Sequence, residues 1–283
     1  MMKRIMTIQD ISCVGKCSLT VALPIISAMG VEAGILPTAV LSTHTAFKNF
    51  TFHDLTNEIR PISKHWKDEN IGFDAIYTGY LGSFEQIELV SEFFDAFKTD
   101  DNVIVIDPVM GDYGKLYAGF TEEFAAAMAK LCGKADIILP NMTEAAYMLG
   151  IEYVESGYDE EYIKSVLVGL SKLGAKVSVL TGVSFKEGEL GVMAYNSETG
   201  EFFSYFNKEI DARYHGTGDV FASCCTGALM NGLSVEEALA LSADYTARCI
   251  QNTVDDKDGR WYGVNFEAEM PYLINRLEEY RNK

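Results

Sequence analysis

Gly216-Thr217-Gly218-Asp219-Val220-Phe221-Ala222, running on into Ser223-Cys224-Cys225, is the stretch that decides how the rest of the chain is read. Two glycines let the backbone turn tightly with no Cβ in the way, so consecutive N–H groups aim at one small volume where a helix starts. The unpaired amides and the positive end of the helix dipole make that volume an anion site. It suits a phosphate, and still more the charge that develops on a phosphoryl group in transfer. Asp219 falls in the same first turn, where the dipole favours its ionised form, so a proton acceptor stands beside the anion site. The same four letters also fit a tight loop with an ordinary N-cap, and context has to decide. The residues that follow (Ala222, Cys224, Ala228, Leu229, Met230) are apolar or small on every side. Such a helix is buried in a layered fold, with its N-terminus at an interior cleft. Asn231-Gly232 ends it, and Ser234 with Glu237 reads as the capping box of the next helix.

Working outward, short β-type runs alternate with longer helical ones. Strands are predicted over residues 4–9, 33–36, 75–80, 103–107, 137–139 and 177–181, and helices over 18–29, 85–98, 122–131 and 160–173. This alternation predicts a three-layer α/β/α fold: a mostly parallel sheet with helices on both faces. One antiparallel interruption is predicted, a hairpin of 191–195 and 202–206 around the turn 196–200. No repeat, linker or low-complexity stretch divides the chain, so residues 1–283 read as a single domain.

Composition narrows the function. Lys plus Arg number 23 against 41 Asp plus Glu, a net charge of −18 that repels nucleic acid and anionic membrane surfaces. The six cysteines (Cys13, Cys17, Cys132, Cys224, Cys225, Cys249) form no Cys-x-x-Cys pair and read as reduced thiols. No stretch is long and apolar enough for a signal peptide or a membrane span, which predicts a cytoplasmic protein.

In a parallel sheet, ligands bind at the carboxyl ends of the strands. The unusual polar residues fall there: Tyr77-Thr78-Gly79-Tyr80, Asp107-Pro108-Val109-Met110-Gly111-Asp112, Pro140-Asn141-Met142-Thr143-Glu144 and Thr181-Gly182. Each has a plain alternative, since Asp-Pro and Pro-Asn punctuate turns and Thr143 with Glu144 suits a helix start. Together, Asp107, Asp112 and Glu144 facing an anion site make sense where a divalent cation bridges carboxylates and phosphates. Gly111 and Gly114 make 111–119 a candidate lid. Lys115 lacks the flanking residues of a Walker A loop, and Phe221 stands where a dinucleotide fingerprint needs its third glycine. His53, His65 and His215 have no ligand spacing and read as solvated or packing residues.

These residues, in this order on this β/α pattern, resemble the ribokinase superfamily of small-molecule kinases over essentially the whole chain. Its Gly-Thr-Gly-Asp and Asn-x-x-Glu motifs are met at residues 216–219 and at Asn141 with Glu144. Within it the chain is most similar to the vitamin B6 kinases, through Ile8-Gln9, Ser42-Thr43-His44-Thr45, Thr78-Gly79-Tyr80-Leu81-Gly82-Ser83 and Asp107-Pro108-Val109-Met110-Gly111-Asp112. Cys17-Ser18-Leu19-Thr20-Val21-Ala22-Leu23-Pro24 and Leu41-Ser42-Thr43-His44-Thr45 resemble the bacterial branch called pyridoxamine kinases.

The resemblance implies ATP-dependent phosphorylation of the 5′-hydroxymethyl group of a B6 vitamer, with Mg²⁺, in a homodimer. It makes Asp219 the base and the amides of Gly216, Thr217 and Gly218 the anion hole. Asn141 and Glu144 would organise Mg²⁺ and phosphates with Asp107 and Asp112 nearby, Thr181 and Gly182 would lie under ATP, and His44, Thr45 and Tyr80 would line the pyridine pocket.

This chain departs from the family at two points. Asp10 stands where pyridoxal kinases commonly place Ser, so a carboxylate there either pairs with a cationic ring nitrogen or ammonium of the substrate or caps the loop before the first helix. Leu139 replaces a Thr often found near the metal, and no monovalent cation site is assigned. Cys13 and Cys17 read as loop packing beside the substrate pocket rather than as thiols that add to an aldehyde. Two other readings stay open: a hydroxymethylpyrimidine kinase of thiamine synthesis, and a ligand-binding relative without turnover.

Overall fold

The computed structural model describes residues 2–282. Along the chain run β1 (Arg4–Ser12), α1 (Leu19–Ala28), β2 (Glu32–Leu41), β3 (Phe52–Asp54), α2 (Thr56–Asp68), β4 (Ala75–Thr78) and α3 (Phe84–Phe97). Next come β5 (Val103–Ile106), β6 (Gly111–Asp112), β7 (Lys115–Leu116), α4 (Glu122–Cys132), β8 (Ile137–Ile138), α5 (Met142–Leu149) and α6 (Glu160–Ser171). The chain closes with β9 (Val177–Val183), β10 (Glu189–Asn196), β11 (Glu201–Lys208), α7 (Thr217–Met230), α8 (Val235–Asp255) and α9 (Phe266–Arg281).

Two compact units share these elements. The discontinuous unit takes residues up to 77 together with those from 210 onward, and the continuous unit takes residues 78–209. In the discontinuous unit the strand order is β4-β1-β2-β3. β1 and β2 pair in parallel, and β3 runs antiparallel at the edge. In the continuous unit the order is β11-β10-β9-β8-β5, parallel from β5 through β9 and antiparallel where the predicted hairpin of β10 and β11 folds back. The expected α/β class, a mostly parallel sheet flanked by helices, is what the chain adopts.

Buried strands explain that arrangement. β4, β5 and β8 carry apolar residues on successive positions rather than alternating ones, as strands covered on both faces must. In the discontinuous unit α7 is buried continuously from Val220 to Ala228 and packs against α1 and α8. A Cβ on Gly227 would lie 2.5 Å from Met29 Sδ, so glycine is what lets α7 come this close to the end of α1. The predicted capping box is present at Ser234 and Glu237. Cys224, Cys225, Cys132 and Cys249 are buried as small apolar residues, and every cysteine is a free thiol.

The structure departs from the sequence expectation in several elements: β2 runs on to Leu41, and β3, β6, β7 and α9 were not predicted. β1 continues past residue 9 to Ser12, with a bulge between Gln9 and Ile11, because β2 goes on pairing with it as far as Leu41. Asp10 therefore sits in a strand and not in a loop. The helix α2 was not predicted: Pro61 interrupts its pattern, and only Thr56 and Ile59 are buried. Among the described residues no helix is long and apolar enough to cross a membrane.

Candidate active site

In the discontinuous unit the site is built around the start of α7. Gly216 is the N-cap, at φ 80°, and no side chain caps the helix. The first turn closes with Val220 N–H donating to the Gly216 carbonyl at 3.0 Å, which leaves the amides of Thr217, Gly218 and Asp219 directed out of the N-terminus. A Cβ on Gly216 would meet the Lys16 carbonyl oxygen at 2.0 Å, so only glycine fits the turn. Lys16 is itself anchored, its Nζ donating to Val264 O at 3.1 Å and Glu267 Oε2 at 2.8 Å. Gly218 is exposed and Asp219 is half-buried as a residue. Burial pushes the Asp219 carboxyl up to about 7, with a hydrogen bond from the Ser18 backbone N–H opposing the rise and the charge of Asp10 adding to it.

Asp10 is buried, and both of its oxygens are engaged. Ser18 Oγ donates to Oδ1 at 2.6 Å and Ser12 Oγ donates to Oδ2 at 2.8 Å. Burial raises its pKa, against these hydrogen bonds. The Cys17 thiol lies beside Asp219 and Asp10. Burial and those two charges push its pKa far up, which suppresses the thiolate and agrees with the packing role predicted for it.

His44 is buried. Its Nδ1 accepts from Ala46 N–H at 3.1 Å, and its Nε2 lies 3.0 Å from the Tyr262 carbonyl. An accepting Nδ1 and a carbonyl at Nε2 assign the neutral, Nε2-protonated tautomer, and burial lowers the pKa accordingly. With both nitrogens used, His44 offers a ligand its ring. Phe47 and His215 lie 5.0 Å away and Trp261 6.1 Å, an aromatic group that also includes Tyr262 beside Phe47. Trp261, which belongs to no sequence motif, is 59% exposed. Thr45 is exposed next to His44. Of the remaining histidines, His215 packs against His44, and His53 and His65 are exposed, as read from the sequence.

In the continuous unit the site gathers at the start of α5. Asn141 is the N-cap, its Oδ1 accepting from Glu144 N–H at 3.0 Å, while Glu144 Oε2 accepts from Asn141 N–H at 2.9 Å. The motif read as nucleotide-binding is thus also a capping box, a role the sequence signals only as a helix start at Thr143 and Glu144. It does more than cap. Glu144 Oε1 accepts from Met110 N–H at 3.0 Å, and Asn141 Nδ2 donates to the Gly111 carbonyl at 2.9 Å. Thr143 Oγ1 accepts from Gly114 N–H at 2.9 Å. The segment predicted as a lid therefore contains a short antiparallel hairpin, β6 with β7, tied at its base to α5. Burial raises the Glu144 pKa, and Asp112 is near enough for its charge to add to the rise.

Removing the Glu144 carboxylate would orphan two amides at once. Glu144→Ala is expected to cost about 2–4 kcal/mol in thermal or denaturant unfolding. A loss under about 1 kcal/mol would mean that water replaces it.

Thr181 N–H donates to the Pro140 carbonyl at 3.0 Å and bridges to Asn141, which brings β9 to the helix start. Gly182 has φ 75° with open space around its missing Cβ. Tyr80 is half-buried, its ring 5.6 Å from Phe120. Asp107 is buried at the end of β5, its N–H donating to the Thr78 carbonyl at 2.9 Å, and Asp112 Oδ1 accepts from Tyr113 N–H at 2.9 Å. Among the described residues no three His, Cys, Asp or Glu side chains form a cage for a metal. Glu144 and Asp112, a pair close enough to influence one another, fit instead a Mg²⁺ that keeps waters and takes phosphate oxygens for most of its shell.

Comparison with known proteins matches residues 23–262 to the phosphomethylpyrimidine kinase family. A pyridoxal kinase of Actinobacillus pleuropneumoniae serotype 5b is 30% identical, covering 99% of this chain and 98% of its own length. A Bacteroides thetaiotaomicron crystal structure, an orthorhombic form with pyridoxal, is 40% identical with a TM-score of 0.91, covering 96% of each chain. The crystal structure of pyridoxal kinase from Lactobacillus plantarum is 29% identical with a TM-score of 0.89, covering 99% of each chain.

Proposed function

The chain belongs to the phosphomethylpyrimidine kinase family, and on that premise we propose that it transfers the terminal phosphoryl group of ATP to the 5′-hydroxymethyl group of a vitamin B6 vitamer. Its similarity to pyridoxal kinases over nearly its full length, and to a structure containing pyridoxal, supports the B6 substrate. The observation that carries the chemistry is the half-buried Asp219 in the first turn of an uncapped helix whose N-cap admits no side chain.

In this reading Asp219 accepts the proton of the attacking hydroxyl, and the amides of residues 216–218 hold the phosphoryl oxygens as their charge develops. The ring of His44, with Thr45 and Tyr80, holds the pyridine, and Asp10 belongs to the same pocket. Asn141, Asp107, Thr181 and Gly182 receive the nucleotide. Glu144 and Asp112, with Asp107, would hold Mg²⁺, which supplies charge neutralisation on the phosphates. Phosphoryl transfer asks for positioning and electrostatics rather than covalent help, which is what these groups provide. The reading includes a cytoplasmic setting, a single kinase domain over residues 1–283, and the homodimer that the family resemblance implies.

The family description keeps the pyrimidine alcohol of thiamine synthesis in view as a second substrate class. An ATP-consumption assay with pyridoxal, pyridoxamine, pyridoxine and that pyrimidine separates the readings. Turnover on the B6 vitamers is the expected result. Turnover on the pyrimidine alone overturns the B6 assignment, and binding without turnover would make the chain a ligand sensor.

A further inference from the structure

Ser18 is strained and does not do what its position suggests. It is the N-cap of α1, yet its side chain makes no capping hydrogen bond, and its backbone sits at φ 50°, ψ −133°. A non-glycine residue with φ in that range costs on the order of 1–3 kcal/mol and persists only where its surroundings hold it there. The restraint is visible: the hydroxyl that would cap α1 instead donates to Asp10 Oδ1 at 2.6 Å, while Ser12 secures the other oxygen at 2.8 Å. The segment just before Ser18 packs on the start of α7, where a Cβ on Gly216 would meet the Lys16 carbonyl oxygen at 2.0 Å and Cys17 Cα at 3.4 Å, and this brings the Ser18 backbone N–H to the side of the Asp219 carboxylate. One residue thus joins two carboxylates, by its hydroxyl to the first and by its amide to the second. Asp10 and Ser18 are 4% and 6% exposed, so water does not substitute readily for either link.

We propose that Asp10 is a positioning residue for the base: through Ser18 it fixes the direction of the Asp219 carboxylate, rather than pairing with a cationic group of the substrate. This rests on the kinase reading above. A carboxyl suits this task, because its two oxygens accept from Ser12 and Ser18 at once, which a single hydroxyl could not match. It also sets the electrostatics around Asp219. The groups that face it are Asp10 from β1, the Cys17 thiol from the loop after it, and the Ser18 amide at the start of α1. Asp10 in turn faces His44, which stands beside His215.

The test uses Asp10→Asn, Ser18→Ala and the double variant Asp10→Asn with Ser18→Gly, in steady-state kinetics across pH. Asp10→Asn is expected to lower kcat by roughly 10-fold with the vitamer KM within about 2-fold. The acid limb of kcat/KM should move to lower pH, because a charge repelling the Asp219 carboxylate has gone. Ser18→Ala should lower kcat in the same way. Glycine reaches the Ser18 conformation without a tether, so adding Ser18→Gly should restore several-fold of the activity lost in Asp10→Asn. A raised KM or altered vitamer preference with kcat and the acid limb intact overturns the proposal in favour of a substrate contact. An active Ser18→Ala, or no recovery in the double variant, overturns it as well. If the unaltered protein turns over none of the alcohols, the kinase reading fails, but a ¹³C titration of the Asp219 carboxyl still decides the link. The midpoint falls in Asp10→Asn if the two groups are coupled and stays in place if they are not.

Discussion

Asp219→Ala lowers kcat by at least about 10²-fold while nucleotide affinity holds, if this carboxylate accepts the proton in the transition state. The same group ties activity to stability. The folded chain keeps the Asp219 proton up to about 7, where the ordinary value is 3.8. Between those values the folded state holds a proton that the unfolded chain has released, so stability falls as pH rises through the window and levels off above it. In the protonated form Asp219 is content with its site; in the ionised form, which catalysis needs, it is not. Asp219→Asn should therefore abolish turnover and yet raise stability at pH 8 by at most about 4 kcal/mol, with little gain at pH 4. Thermal unfolding at both pH values and a kcat measurement check this together. Near-normal turnover would remove Asp219 from the mechanism, and an equal stability change at both pH values would mean that its carboxyl titrates as an ordinary one.

Gly216→Ala is the second change with a large expected effect, and its cause is steric. The new methyl would fall 2.0 Å from the Lys16 carbonyl oxygen, on a backbone already at φ 80°. Lys16 cannot easily retreat, because its ammonium is held by Val264 O and Glu267. The turn before α7 must then rotate, and the amides of 217 and 218 lose their common aim. Loss of a single preorganised donor of this kind costs about 10²–10³ in kcat, and a similar loss is expected here together with about 2–4 kcal/mol of stability. Gly182→Ala supplies the comparison: its φ is 75°, but its Cβ would meet nothing within 4 Å, so only the backbone strain of about 1 kcal/mol applies. Turnover in Gly216→Ala within a few-fold of the unaltered enzyme would mean that the cradle is not part of the reaction.

What the sequence made legible was local chemistry with a fixed spacing. Gly216 to Asp219 predicted a helix start with bare amides, Ser234 with Glu237 a capping box, and 196–200 a hairpin turn, and each is present because a few neighbouring residues suffice to specify it. Elements whose reasons lie elsewhere in the chain were read short or not at all. β1 runs on through Asp10 and Ser12 because β2 pairs with it and because the two side chains satisfy each other, neither of which hydrophobic periodicity records. α2 tolerates Pro61 and buries little, so its pattern is weak. Asn141 and Glu144 stand out in the sequence as a spaced pair, but their tie to Met110 and Gly111 requires a turn 30 residues away to return to α5. The aromatic group of His44, Phe47 and Trp261 joins residues more than 200 positions apart, and no spacing rule could have found it. The approach of Ser18 to Asp219 was hidden for the same reason.

That last separation has a consequence for biosynthesis. Residues 78–209 are contiguous and can collapse as soon as they leave the ribosome, whereas the other unit needs both chain ends. Ser18 emerges early and its partner Asp219 only about 10–40 s later, at typical elongation rates of ~5–20 residues per second. Until then β1 and α1 wait with apolar faces uncovered by α7, the period in which a nascent chain is most exposed to chaperones and to aggregation. In the kinase reading proposed above, catalytic competence is therefore acquired late in synthesis, and a chain terminated before residue 219 lacks the carboxylate assigned there as the base.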